Sequence, residues 1–204
     1  MISIVDYGLG NVEAFLTIYK RLGFEANLAK TESDLSLASK IILPGVGAFD
    51  HAIQLLNQSG MREAIETLVL KDKVPILGVC VGMQMMASSS DEGVLPGLGL
   101  IPGRVCSFYS NKKASNLPLP HMGWNNINPK SGEPLFVEIE KNARFYFLHS
   151  YYFESSEPSN ETANVFYGFD FSCSVSAGNI HGVQFHPEKS HHFGSQLLKN
   201  FAKI

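Results

Sequence analysis

The first half of the chain alternates between short, continuously apolar blocks and longer stretches that are apolar on one face only. Met1 to Val5 is one such block and ends at Asp6-Tyr7-Gly8-Leu9-Gly10. Behind it Val12, Phe15, Leu16, Tyr19 and Leu22 fall on one helical face, with Asn11 as N-cap and Gly23 as the stop. Lys40 to Leu43 predicts a second buried strand, broken by Pro44-Gly45-Val46-Gly47. Residues 48–71 predict helix interrupted near Ser59-Gly60, Val74 to Val79 a strand, and Gly82 to Ser88 the opening of another helix. Buried strands alternating with helices predict an α/β fold whose central sheet is mostly parallel, with right-handed crossovers and flanking helices.

The pattern changes in the second half. Residues 91–134 are rich in Gly, Pro and Asn, with Arg104 to Tyr109 as a short strand. Arg144 to Phe153, Asn164 to Phe169 and Ile180 to Phe185 predict strands added to the sheet. His192 to Ile204 predicts a closing helix with Phe193, Leu197, Leu198 and Phe201 on one face. No internal repeat or linker interrupts this order. The 204 residues are therefore expected to form one domain, able to bury roughly 70% of its unfolded surface.

Composition narrows the function classes. The chain is 45% hydrophobic and 17% charged, with a net charge of −3 and no basic stripe, which gives no reason to expect nucleic-acid binding. No apolar run reaches the roughly 18 residues of a membrane span. The opening MISIVDYG has no basic n-region, so a signal peptide is not expected. Three scattered cysteines, Cys80, Cys106 and Cys173, make no disulfide framework, and a cytoplasmic setting is expected.

One of those cysteines stands apart. In Gly78-Val79-Cys80-Val81-Gly82-Met83-Gln84 the thiol falls where a buried strand meets a helix, bracketed by glycines. That is the logic of a nucleophile elbow, with G-x-C-x-G in place of G-x-S-x-G. The turn would project the sulfur at the C-terminal edge of the sheet, where open α/β folds place ligands. The helix N-terminus favours thiolate, and the N–H of Val81 can face a developing oxyanion. A buried packing cysteine is the competing reading. A thiol nucleophile needs a base and an orienting group, and Phe185-His186-Pro187-Glu188 offers both. His186, Glu188, His191 and His192 could instead form a metal cluster, but Pro187 spoils the helical spacing such a site wants. Cys106 and Cys173 lack glycine brackets and read as packing residues.

Cys80, His186 and Glu188 resemble the triad of class I glutamine amidotransferases, a flavodoxin-like α/β family. Leu43-Pro44-Gly45-Val46-Gly47-Ala48-Phe49 looks like that family's oxyanion loop. Pro120-His121-Met122-Gly123-Trp124-Asn125, Phe145-Tyr146-Phe147-Leu148-His149-Ser150-Tyr151 and the opening Asp6 to Asn11 are similar to its branch of glutaminase subunits that feed a cyclase. The resemblance spans nearly the entire chain. It implies that Cys80 attacks the glutamine carboxamide, His186 moves the proton and Glu188 orients His186. It implies an oxyanion hole from Val81 with Val46 and Gly47. It implies a glutamine site from Gly45, Gly47, Gly82, Gln84, His149, Ser150 and Tyr151, with no metal and no cofactor. It also implies a (β/α)8-barrel cyclase partner, contacted by Asn11, Met122, Trp124, Tyr146 and Lys189. That partner would take the ammonia to make imidazole glycerol phosphate and an aminoimidazole carboxamide nucleotide in histidine biosynthesis.

Glycines on both sides of Val46 make a peptide flip cheap, so the loop is expected to gate the oxyanion hole under control of the partner and its nucleotide. A β-branched residue at Gly45 is then expected to lower stimulated turnover more than glutamine binding. The stretch from Ser110 to Leu119 and the ending Lys189-Ser190-His191-His192-Phe193-Gly194 leave an alternative ammonia acceptor open, such as a surface sugar. Two further readings are a binding or chaperone-like relative and a peptidase with a similar elbow; the intact motifs argue against both.

Overall fold

The computed structural model describes residues 1–114 and 116–204; Ser115, inside the Ser110–Leu119 stretch, lies outside the described residues. The strands are β1 (Ile2–Val5), β2 (Ala26–Ala29), β3 (Lys40–Gly45), β4 (Ile76–Cys80), β5 (Ser89–Ser90), β6 (Gly103–Ser107), β7 (His121–Asn126), β8 (Asn128–Pro129), β9 (Arg144–His149), β10 (Tyr151–Ser155), β11 (Glu161–Phe166), β12 (Asp170–Ala177) and β13 (Ile180–Val183). The helices are α1 (Val12–Arg21), α2 (Glu32–Leu35), α3 (Phe49–Gln58), α4 (Arg62–Leu70), α5 (Val81–Gln84) and α6 (His191–Lys203).

The main sheet runs β2-β1-β3-β4-β13-β12-β10-β6-β5, with β11 on β12 and β8 on β11. β2, β1, β3, β4 and β13 are mutually parallel; β12, β10 and β6 each continue antiparallel to the strand before them, and β5 pairs parallel to β6 at the edge. This is the mixed α/β architecture the alternating pattern predicts. The parallel strands read as continuous apolar runs because helices cover them: Ile4, Ile41, Ile42, Leu43, Ile76 and Leu77 are fully buried.

Three strands position the site. β4 lies between β3 and β13, with Gly45 opposite Cys80 and Gly182 opposite Gly78. Their C-terminal ends therefore deliver the Gly45–Gly47 loop, the thiol and the turn carrying His186 to one sheet edge, as open parallel sheets do. A separate two-stranded sheet, β7 with β9, packs against this edge. Its alternation is clean: Phe145, Phe147, His149 and His121 point inward and are buried, while Met122, Trp124, Tyr146 and Leu148 share the outer face.

Two expectations need correction. The predicted strand from Arg144 to Phe153 is two strands, with β9 in the small sheet and β10 in the main one; the chain changes sheet at Ser150. The helix expected over Gly82 to Ser88 stops at Gln84. Its continuation is prevented by the following loop, whose Leu98, Gly99 and Ile101 N–H groups bond the Met85, Ala87 and Met86 carbonyls. A continuing helix would need those carbonyls itself.

Candidate active site

Cys80 ends β4 and has φ 56° and ψ −113°, a conformation an L-residue rarely adopts. Such a geometry costs on the order of 1–3 kcal/mol and persists only where neighbours enforce it. The enforcement is visible in the bracketing glycines. A Cβ at Gly82 would overlap the Leu43 carbonyl oxygen of β3, and one at Gly78 would come within 2.7 Å of the Gly82 oxygen and 2.8 Å of the Met83 nitrogen. Strand and helix thus close to backbone contact, and the turn has room only for the Cys80 side chain. The first N–H groups of α5 have no partner within the helix and lie at the sulfur's end of it.

His186 follows β13, with its backbone N–H donating to the Tyr146 carbonyl at 2.9 Å. Ser190 locks the same turn: its hydroxyl donates to the His186 carbonyl at 2.6 Å and accepts from the Tyr146 N–H at 3.0 Å. Glu188 Oε1 lies 2.9 Å from His186 Nδ1, and both side chains are almost fully buried. Burial by itself would push the imidazole down. The hydrogen bonds and charges of Cys80 and Glu188 outweigh it, and the His186 pKa is raised to about 10. Cys80 and Glu188 thus grip the ring from its two sides, and the imidazolium is the favoured form.

These groups open into a cavity of about 280 Å³ lined by Val46, Gly47, Cys80, Val81, Gln84, Glu92, Pro120, Leu148, His149, Ser150, Tyr151, His186 and Lys189. Gly45 and Gly82, expected among glutamine-binding residues, lie outside that lining. Both are packing positions: a Cβ at Gly45 would overlap the Gly82 nitrogen. The Tyr151 carbonyl accepts from Gln84 Nε2 at 3.1 Å and from His149 Nδ1 at 2.7 Å. Burial and the neighbouring His121 push the His149 pKa down to about 3, so this ring stays neutral. The Asp6–Asn11 motif acts beneath the loop: the Tyr7 hydroxyl donates to the Pro44 carbonyl at 2.8 Å, and Gly10 packs on the Pro44 ring.

Of the residues expected at a partner surface, Met122 is 64% exposed, Lys189 is exposed and sits over the Tyr146 ring at 5.7 Å, and Trp124 meets Tyr146 edge-on at 5.9 Å. Asn11 is exposed and borders a groove with Glu188 and Lys189. His191 stacks flat on Trp124 and His192 packs on Phe193, so neither joins His186 as the metal reading required. Cys106 and Cys173 are buried away from the cavity, and burial pushes the Cys106 thiol up to about 12.

Three site residues escaped the sequence reading. Glu92 lines the cavity mouth and accepts from the Phe49 N–H at 2.9 Å. Leu148 brings its carbonyl to 3.8 Å from the Cys80 sulfur. Gln184 brings its amide nitrogen to 3.7 Å from the same sulfur. Gln184 stands two residues before His186, just past the end of β13, and that nearness in sequence could have flagged it.

Comparisons with known proteins agree with this geometry. Residues 3–204 match the family model Glutamine amidotransferase class-I. The chain is 59% identical over 204 residues to "Imidazole glycerol phosphate synthase subunit HisH" of Bdellovibrio bacteriovorus, covering all of both chains. It is 49% identical to the protein of the same name from Leptospira interrogans, again over the full length of both. Among solved structures, a glutamine amidotransferase superposes with a TM-score of 0.76 at 17% identity, covering 99% of this chain and 97% of that one. PurLQS from Thermotoga maritima superposes with a TM-score of 0.75 at 16% identity, covering 99% and 97%. With nearly every residue inside the family model and full-length relatives at such identity, the chain belongs to the class I glutamine amidotransferases.

Proposed function

We propose that this chain is the glutaminase subunit of imidazole glycerol phosphate synthase, a single amidotransferase domain over residues 1–204. The observation that carries the reading is the meeting of Cys80, His186 and Glu188 in one cavity at the C-terminal edge of a parallel sheet. The Cys80 sulfur attacks the carboxamide carbon of glutamine and the C–O π pair moves onto oxygen. N–H groups at the start of α5, beginning with Val81, together with Val46 and Gly47, receive that oxyanion. Each such donor is worth roughly 10² to 10³ in rate. The C–N bond then breaks, and the His186 imidazolium gives its proton to the departing nitrogen, which leaves as ammonia. The Cys80 thioester remains. His186, now neutral, takes a proton from water as its oxygen attacks the thioester, the sulfur leaves as thiolate, and glutamate departs with the Cys80 thiolate and His186 imidazolium restored. Glu188 holds the ring through both steps.

The far end of the substrate needs an acceptor for its ammonium and donors for its carboxylate. Glu92 at the cavity mouth and the Gln84 oxygen suit the first; backbone N–H groups around Ser150 and Tyr151 suit the second. Ammonia released into water is protonated and lost, so a partner must receive it. The outer face of β7 and β9, with Met122, Trp124, Tyr146 and Leu148 beside the exposed Lys189 and Asn11, fits a protein surface; Trp and Tyr are common hot-spot residues. The relatives are named as subunits of a synthase, and the partner subunit we propose is a (β/α)8-barrel cyclase. The same name favours the histidine-pathway acceptor over a surface sugar.

Glutamate release from glutamine is the direct test, with the chain alone, with the cyclase of the same organism, and with cyclase plus its nucleotide ligand. Strong stimulation in the last case, abolished by Cys80→Ala, is expected. Release that the cyclase and its ligand leave unchanged, with Cys80 still alkylated by a glutamine-analogue electrophile, would mean another partner.

A further inference from the structure

Two glutamine side chains meet at the cavity wall, Gln84 in its lining and Gln184 behind it, and the atoms they present can be deduced from a group of fixed chemistry. A main-chain carbonyl only accepts. The Tyr151 oxygen meets His149 Nδ1 at 2.7 Å and Gln84 at 3.1 Å, so both partners must donate to it. Gln84 therefore turns its nitrogen to Tyr151, and its second N–H reaches Gln184 Oε1 at 3.0 Å. With its oxygen committed there, Gln184 turns its own nitrogen to the Cys80 sulfur at 3.7 Å. On the other side, donation from His149 Nδ1 leaves Nε2 as an acceptor, which His121 Nδ1 satisfies at 2.9 Å. The direction of every bond follows from the one carbonyl. Gln184 is completely buried and Gln84 nearly so, so water does not compete.

We propose that Gln184 acts directly on the nucleophile, holding an amide N–H on the Cys80 sulfur, and that the relay His121–His149–Tyr151 carbonyl–Gln84 fixes Gln184 in that orientation. An N–H donor favours thiolate over thiol, because only the charged sulfur is a strong acceptor. It opposes the Leu148 carbonyl, an acceptor that favours the thiol from 3.8 Å. Gln184 thus supplies at the sulfur what α5, only four residues long, supplies weakly. His149 and Gln84 are positioning residues for it. The other groups around the sulfur are His186 with Glu188 behind it, Tyr7 beneath the Pro44 carbonyl, His149 across the cavity, and Glu92 and Lys189 at the mouth.

The inference rests on Cys80 as nucleophile, and its test needs neither glutamine nor a partner. Alkylation of Cys80 by iodoacetamide is followed on the Cys80 peptide by mass spectrometry across about pH 5 to 10. Gln184→Met keeps the volume and removes the amide. Its alkylation midpoint is expected to rise by about one pH unit, giving roughly tenfold slower reaction on the acid side of the midpoint, with rates converging at the alkaline end. An unchanged midpoint, or a rate lowered by the same factor at every pH, would overturn the idea and leave Gln184 as packing. Gln84→Met removes the donor that holds the Gln184 oxygen and should move the midpoint the same way by less; it decides the matter if Gln184→Met does not fold. A shifted midpoint in a chain that never releases glutamate would defeat the proposed function while leaving this inference standing.

Discussion

Glu188 offers His186 one carboxylate oxygen and keeps the other, Oε2, buried without a hydrogen-bond partner among the described residues. The carboxylate's charge is therefore directed at the imidazole and little else. Removing that charge while keeping the shape isolates its effect. In Glu188→Gln the His186 pKa should fall from about 10, read by imidazole NMR shifts against pH. Turnover should drop on the order of 10²- to 10⁴-fold with KM little changed, since the ring is oriented for the proton transfers rather than for binding. An unchanged His186 titration would mean that Cys80 alone holds the ring charged. That Cys80, His186 and Glu188 would meet was legible in the sequence because glycine brackets and an HPE turn are local signals. Glu92 was not, because it reaches the cavity from a loop twelve residues beyond Cys80, where no periodicity marks a position.

At the scale of elements, the closeness of β3, β4 and α5 governs what substitutions mean. The sequence suggested Gly45 as a probe of loop flipping. In the fold Gly45 is pressed against the Gly82 nitrogen, so a β-branched residue there would spread β3 from α5 and disturb the elbow itself. Gly47 is the better probe: it has φ +84° and open space around a Cβ. Gly47→Ala should fold with a loss of about 1 kcal/mol from left-handed backbone, and its defect should appear mainly in partner-stimulated turnover. Gly82→Ala should lower the melting temperature and abolish turnover together, because the Leu43 carbonyl cannot yield without breaking the strand. Thermal melts beside stimulated and unstimulated glutamate release separate the two; a Gly47→Ala protein with wild-type stimulation would remove the gating role from this loop. The elements the sequence misread share one cause. β9 and β10 follow each other with only Ser150 between them in one run of strand-forming residues, and nothing in such a run says which sheet each part joins. The shortness of α5 depends on carbonyls claimed by residues 98–101, a contact made only after the chain folds back.

Across the whole molecule, three histidines are buried where a charge is costly. Burial pushes His121 and His181 down to about 4 and His149 to about 3, from an ordinary 6.5. His121 is sandwiched between Phe147 and Tyr167, and His181 bonds Ser176 with its Nδ1 while its Nε2 has no hydrogen-bond partner among the described residues. Each binds a proton in the unfolded chain at mild acidity and refuses it in the folded one. Stability from these groups is therefore fully present above 6.5 and is lost as pH falls toward 4, up to about 1.4 kcal/mol per pH unit for each. Asp34, held below its ordinary 3.8, titrates under this window; Glu92 and Glu133, raised by burial from 4.5, bind protons more readily in the folded chain at its acid end and offset a part of the histidines' effect there. Urea midpoints measured at the two edges of that window should differ clearly, with the acid value lower. His181→Leu, far from the cavity, should flatten the acid decline while leaving alkylation of Cys80 at neutral pH unchanged. Equal midpoints in the wild-type chain would mean that these rings accept protons where they stand, and that the neutral His149 on which the Tyr151 carbonyl depends is not enforced by the fold.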